Sequence, residues 1–234
     1  MKSAPVSNAP RDTLDLRQNL QAFLDSDFAD PATSTVWKVG NFQWGVYCFY
    51  DYDGEPIYVG QTNEKLRTRI RRHLTNQRTD AVAMSVLDPF EVLDVEVWPL
   101  PQFQGANRTE KTAIEHLNAL ESQIVSNAIA ASKFAAILNE KDPPQSKLVV
   151  AVPRSFRMRI VSRDLYEIRK HPDVRAARRA QVIARLSQVI AEREVRGGLR
   201  RALWTQTKRL NWLAEQRYLE TGGSASVEQE DKEP

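Results

Sequence analysis

Four side chains stand where simple packing would not put them. Tyr47 and Tyr58 belong to two short triplets, Gly45-Val46-Tyr47 and Tyr58-Val59-Gly60, at the ends of one apolar stretch. Arg69 shares a helical stripe with Leu66, Ile70 and His73, and Glu121 shares another with Ile114, Leu117, Ile124 and Ala128. A carboxylate on a buried stripe must be paired, neutralised or bound to a cation. A buried guanidinium needs an anionic partner. Two readings are open from the residues alone. An Arg69–Glu121 ion pair could fasten helices to a sheet, with the tyrosines as ordinary strand residues. Or all four could face one polar site.

The elements that must position them follow from periodicity. Gly45–Asp51 and Glu55–Gly60 alternate as strands around Asp53-Gly54, a two-residue hairpin signal. That turn sets Tyr58 opposite Phe49 and Gly60 opposite Tyr47. Tyr47, Phe49 and Tyr58 then share one face, and Val46, Cys48, Tyr50, Ile57 and Val59 take the other. "NEKLRTRIRRHL" predicts a helix, "FEVLDVEVW" a third strand from Phe90 to Trp98, and "TEKTAIEHLNALESQIVSNAIAA" a longer helix. Pro143-Pro144 is a stop. Upstream, "DTLDLRQNLQAFLDS" reads as a short helix behind a structureless start. Downstream, the chain reads as helical throughout. Breaks fall at His171-Pro172 and at Gly197-Gly198, the second giving an αα-hairpin. The divisions are a tail and short helix over 1–36, a compact unit over 37–144, a basic helical region over 145–222 and an acidic tail over 223–234.

Composition excludes several classes. The 234 residues hold 41% apolar and 27% charged side chains, as expected of a globular chain. No apolar run reaches the ~20 residues of a membrane span, and the N-terminus lacks the apolar core of a secretory signal. One cysteine, Cys48, allows no internal disulfide and points to a reducing cytoplasm. Neither it nor the three histidines make a zinc cluster. Net charge is +3, but residues 151–220 hold 17 Lys and Arg against 7 Asp and Glu, leaving −7 elsewhere. Such asymmetry suggests a polyanion partner or, more simply, a solvated helical face.

The two triplets, a downstream Arg and His in a basic helix, a helical Glu and a later Asn together resemble the GIY-YIG nuclease superfamily. The resemblance covers roughly Trp44 to Glu140. It implies an α+β fold, a small three-stranded and mainly antiparallel sheet flanked by helices, here followed by a basic α-helical region. It implies metal-dependent hydrolysis of DNA phosphodiester bonds. Tyr47 and Tyr58 match the motif tyrosines, Arg69 the helical arginine with Arg67 the competing choice, and His73 a histidine one turn later. Glu121 matches the metal-binding glutamate and Asn139 the late asparagine. Gln61 stands where the family often has Lys or Ser.

Those residue types suit the implied reaction, which needs an activated water, charge stabilisation at phosphorus and a stabilised leaving oxygen. Glu121 would hold a single Mg²⁺ or Mn²⁺ completed by water and phosphate, and Arg69 would fork onto phosphate oxygens. Either tyrosine could be the general base, with Tyr47 favoured and Tyr58 orienting water or phosphate. Asn139 would order the site rather than react, and His73 would carry a proton or simply pack. DNA, duplex or single-stranded, is the expected partner, gripped by the basic helices, which could equally make a homodimer. Trp204 and Trp212 are expected in the core of the helical hairpin. Restriction, defence or mobile-element cleavage is the favoured setting. A repair nuclease and a binding module without catalysis are the alternatives.

Overall fold

The computed structural model describes residues 9–75, 86–143, 146, 148–195 and 197–224. In order they form α1 (Arg11–Leu24), β1 (Asp27–Ala29), β2 (Val36–Lys38), β3 (Gly45–Tyr50), β4 (Pro56–Thr62), α2 (Leu66–Leu74), β5 (Asp94–Pro99), α3 (Lys111–Ala131), β6 (Phe156–Arg159), α4 (Arg163–Arg169), α5 (Pro172–Glu192) and α6 (Gly197–Glu220). The main sheet is antiparallel, in the order β4-β3-β5-β6, and β1 and β2 make a separate two-stranded ribbon. The fold is α+β, with a helical C-terminal region.

β3 is the central strand and is buried along most of its length on both faces. That is why its sequence reads as nearly continuous apolar residues. On one face Tyr47 and Phe49 join Leu66, Ile70 and Leu74 of α2, Leu20 and Phe23 of α1, and Val182, Leu186 and Leu199 of α5 and α6. On the other face Val46, Cys48 and Val59 meet Leu117, Leu120 and Ile124 of α3. Pro56 opens β4, the outer strand, where a missing donor is tolerated. The free edge of β4 is covered from Leu138, whose N–H donates to the Ile57 carbonyl at 2.8 Å.

The expected register holds where the tyrosines are, with Tyr47 opposite Gly60 and Phe49 opposite Tyr58. It shifts nearer the turn, where Tyr50 pairs with Pro56. The turn is one residue longer than expected. Asp51 and Glu55 close it at 3.0 Å, and Gly54 takes φ 75°, a left-handed conformation that glycine adopts without strain. The bulge carries Ile57 onto the tyrosine face instead of the α3 face. β5 starts later than expected because Asp88-Pro89 nucleates a 3₁₀ turn, the Asp88 carboxylate accepting from the Phe90 N–H at 2.9 Å.

Two features of the C-terminal region depart from the sequence reading. β6 is a strand inside the stretch expected to be helical, and it extends the three expected strands to four. Only four residues long, with alternate side chains half-buried and exposed, it is too short to leave a periodic signal. Trp204, expected in the hairpin core, is 56% exposed.

The largest structural consequence of the C-terminal helices lies at the β3–β4 turn. Asp51 is 1% exposed, and its Oδ2 meets Arg175 of α5 at 3.4 Å, Arg179 at 3.0 Å and Arg209 of α6 at 2.7 Å. Its Oδ1 accepts from the N–H groups of Asp53 and Glu55. Asp53 pairs with Arg175, and Glu91 with Arg179 at 2.9 Å. Buried charges are tolerated when they are paired and hydrogen-bonded in this way. Arginines expected to grip DNA thus hold the hairpin.

Candidate active site

The hairpin brings the two phenols together. Their ring centroids are 6.3 Å apart, and His73 of α2 packs against both, at 5.8 Å from Tyr47 and 5.1 Å from Tyr58. Gly60 lies directly across from Tyr47. A Cβ there would run into the Tyr47 Oη and Cζ, so the second glycine triplet makes room for the first tyrosine's hydroxyl. Tyr47 is fully buried, and burial pushes its pKa well above the ordinary value. The Tyr58 phenol adds to the rise, and the Arg69 guanidinium pulls it back. Tyr58 is partly exposed, and its pKa is pushed up to about 12, first by burial, again with Arg69 opposing.

Arg69 therefore faces the tyrosines. Arg67, two residues away, turns outward to Asp25 at 2.6 Å and the Leu24 carbonyl. Tyr47 Oη and Arg69 Nε are both buried and lack a hydrogen-bond partner. The guanidinium approaches the phenol closely enough to act on its charge without meeting hydrogen-bond geometry. Neither atom is fully satisfied by the neighbouring side chains, which leaves both with hydrogen-bonding capacity in the cluster.

Glu121 reaches the same cluster from α3. It is 8% exposed, and burial raises its pKa to about 7 while Arg69 draws it down. Arg69 acts on the Glu121 carboxylate through its charge, and no direct ion pair joins the two. Among the described residues, no group of three or more His, Cys, Asp or Glu side chains could hold a metal together. One buried, unpaired carboxylate does fit a hard divalent cation that retains water and takes phosphate as its other ligands.

Asn139 lies outside the cluster of Tyr47, Tyr58, Arg69 and Glu121. Its Oδ1 accepts from the Val59 N–H at 3.0 Å and its Nδ2 donates to the Val59 carbonyl at 2.7 Å, so it pairs with the free edge of β4 as another strand would. This steadies Tyr58 from the next residue. Gln61 donates through Nε2 to Asn118 Oδ1 at 2.9 Å, tying β4 to α3. Beside them an open groove of ≈ 350 Å³ is lined by Gln61, Asn63, Arg69, Ile114, Leu117 and Asn118. No sequence pattern points to the Gln61–Asn118 link or to the groove. Asn118 stands one helical turn before Glu121, which is the one available hint.

Residues 43–123 match the family model of the GIY-YIG catalytic domain. With the two-triplet hairpin, the helical arginine and the buried glutamate, this part of the chain is a GIY-YIG domain, of the GIY-YIG nuclease superfamily. The match includes Tyr47, Tyr58, Arg69, His73 and Glu121 and stops short of Asn139. No curated protein and no solved structure matches the chain. Among the described residues, no helix is long and apolar enough to cross a membrane.

Proposed function

We propose that the domain is a divalent-metal-dependent endonuclease acting on DNA. The observation that carries this reading is the convergence of Tyr47, Tyr58, Arg69 and Glu121 around two incompletely satisfied buried polar atoms. Arg69 would bind non-bridging phosphate oxygens through its guanidinium and stabilise the charge that builds up at phosphorus. Tyr47 is the favoured base for the attacking water. Its pKa is far too high for it to ionise in the free protein. Tyr47 is therefore a neutral phenol in the free protein, and to take the proton of the attacking water it must first release its own phenolic proton to bulk water, a loss that the positive charge of a cation held by Glu121 would favour. Tyr58, more open, orients water or phosphate. His73 holds both rings in register. Mg²⁺ or Mn²⁺ held by Glu121 would supply Lewis-acid charge neutralisation at the phosphate.

The test is incubation of the full chain with supercoiled plasmid and with single-stranded DNA, in Mg²⁺, Mn²⁺ or EDTA, beside Glu121→Ala. Metal-dependent cutting that the substitution abolishes is expected. Cutting in EDTA, or undiminished cutting by Glu121→Ala, would overturn the mechanism. Binding without cutting under every condition would favour a module without catalysis.

A further inference from the structure

Helix α6 carries an aromatic and cationic strip separate from the cluster of Tyr47, Tyr58, Arg69 and Glu121. Trp204 is 56% exposed, and the Lys208 ammonium lies over its ring, 3.7 Å from the centroid. Arg200, one turn earlier, is exposed. Two turns beyond Trp204, Trp212 lies under Lys133 at 3.8 Å and edge-on to Phe134. Positions 200, 204, 208 and 212 recur every four residues, so they share one side of the helix.

The strip begins beside the site. Arg201 donates to the Asn139 carbonyl at 3.3 Å, and Asn139 is the residue that braces Val59, next to Tyr58. Gly198 approaches the Glu140 carbonyl so closely that no Cβ would fit, which sets the first turn of α6 against that same brace. Three acidic residues lie nearby, Asp142 on Arg201 at 2.8 Å, Glu55 near Lys133 at 3.7 Å, and Glu140, whose backbone abuts Gly198. Among the described residues none of these carboxylates pairs with Arg200 or with Lys208, whose ammonium lies over the exposed indole.

An exposed indole adds little to folding. Flanked by cations, it matches the way unpaired bases and their phosphates are held, by stacking and by charge. Paired bases offer no free ring face to it. A lysine centred on the patch argues against a protein partner, because interfaces deplete lysine. We propose that this strip takes a single-stranded DNA segment adjoining the nucleotide being cut, with one unpaired base stacked on Trp204 and phosphates against Lys208 and Arg200. The inference rests on the nuclease reading above.

The experiment measures binding of the full chain, in EDTA, to a fluorescein-labelled 20-nucleotide oligo(dT) and to a duplex of equal length, by anisotropy. Trp204→Ala is expected to weaken oligo(dT) binding about 5- to 100-fold and duplex binding little, and Trp204→Phe to retain most of the affinity. Lys208→Ala is expected to reduce the salt slope of oligo(dT) binding by about 0.7. Unchanged oligo(dT) affinity in Trp204→Ala would overturn the proposal. So would an equal loss on duplex, or no binding by the unsubstituted chain. Plasmid cutting with unchanged oligo(dT) binding in Trp204→Ala would sink the strip and leave the nuclease standing. The strip behaving as described with no cutting in any metal would do the reverse.

Discussion

Tyr47 shows how far the site departs from what folding alone would select. Its hydroxyl is buried between the Arg69 guanidinium and the Tyr58 phenol with no well-formed hydrogen bond to either. Tyr47→Phe is therefore expected to leave the melting temperature unchanged or higher, and to lower cleavage about 10²- to 10⁴-fold, the usual range for a lost acid–base group. Calorimetry beside a plasmid assay checks both halves, and a destabilised Tyr47→Phe would mean that the hydroxyl is structural. Glu121 makes the opposite test through pH. Its folded-state pKa is raised to about 7, above its ordinary value, so the folded chain keeps a proton that the unfolded chain releases. That contribution is complete below about pH 4.5 and is lost as pH rises through 7, a change of up to about 3 kcal/mol. In EDTA, the melting temperature of Glu121→Gln minus that of the parent chain should be small at pH 4.5 and grow up to pH 8. Added Mg²⁺ should then stabilise the parent and not Glu121→Gln. A difference that stays flat with pH would contradict the buried, unpaired carboxylate.

At the scale of elements, the β3–β4 hairpin is positioned as much by its turn as by its strands. Asp51 sits among Arg175, Arg179 and Arg209. Among the described residues, removing it takes the one paired carboxylate from Arg209 and leaves Arg175 and Arg179 with only Asp53 and Glu91. Asp51→Ala is expected to cost about 3–5 kcal/mol, whereas Arg200→Ala on the exposed side of α6 should change stability by under about 0.5 kcal/mol. Denaturant titrations of the two variants check this, and similar midpoints would show the network to be idle. The sequence betrayed the site and hid the clamp for one physical reason. Arg69 and Glu121 are conspicuous because they break apolar stripes. Arg175 and Arg179 break the stripe of Val182 and Leu186 in the same way, and Arg209 that of Leu199, Ala202 and Leu213. Amid many other arginines, they read as one basic surface. The partner that gives them meaning lies up to 158 residues away in a turn, where an aspartate looks ordinary. Long-range pairing of this kind has no periodicity to read.

Across the whole molecule, the sheet and the core do not end at Pro144. β6 supplies the fourth strand, and α5 and α6 complete the face that carries the tyrosines. A fragment of residues 1–144 should therefore lose cooperative unfolding and the fixed near-ultraviolet signal of its aromatic residues. A sharp transition in that fragment would show the GIY-YIG portion to be self-sufficient. The hairpin turn also has a history in time. Asp51 leaves the ribosome 158 residues before Arg209, and at about 5–20 residues per second the turn waits on the order of 10–30 s for its last arginine. A growing chain thus carries Tyr47 and Tyr58 long before the arginines of α5 and α6 can hold their hairpin in register.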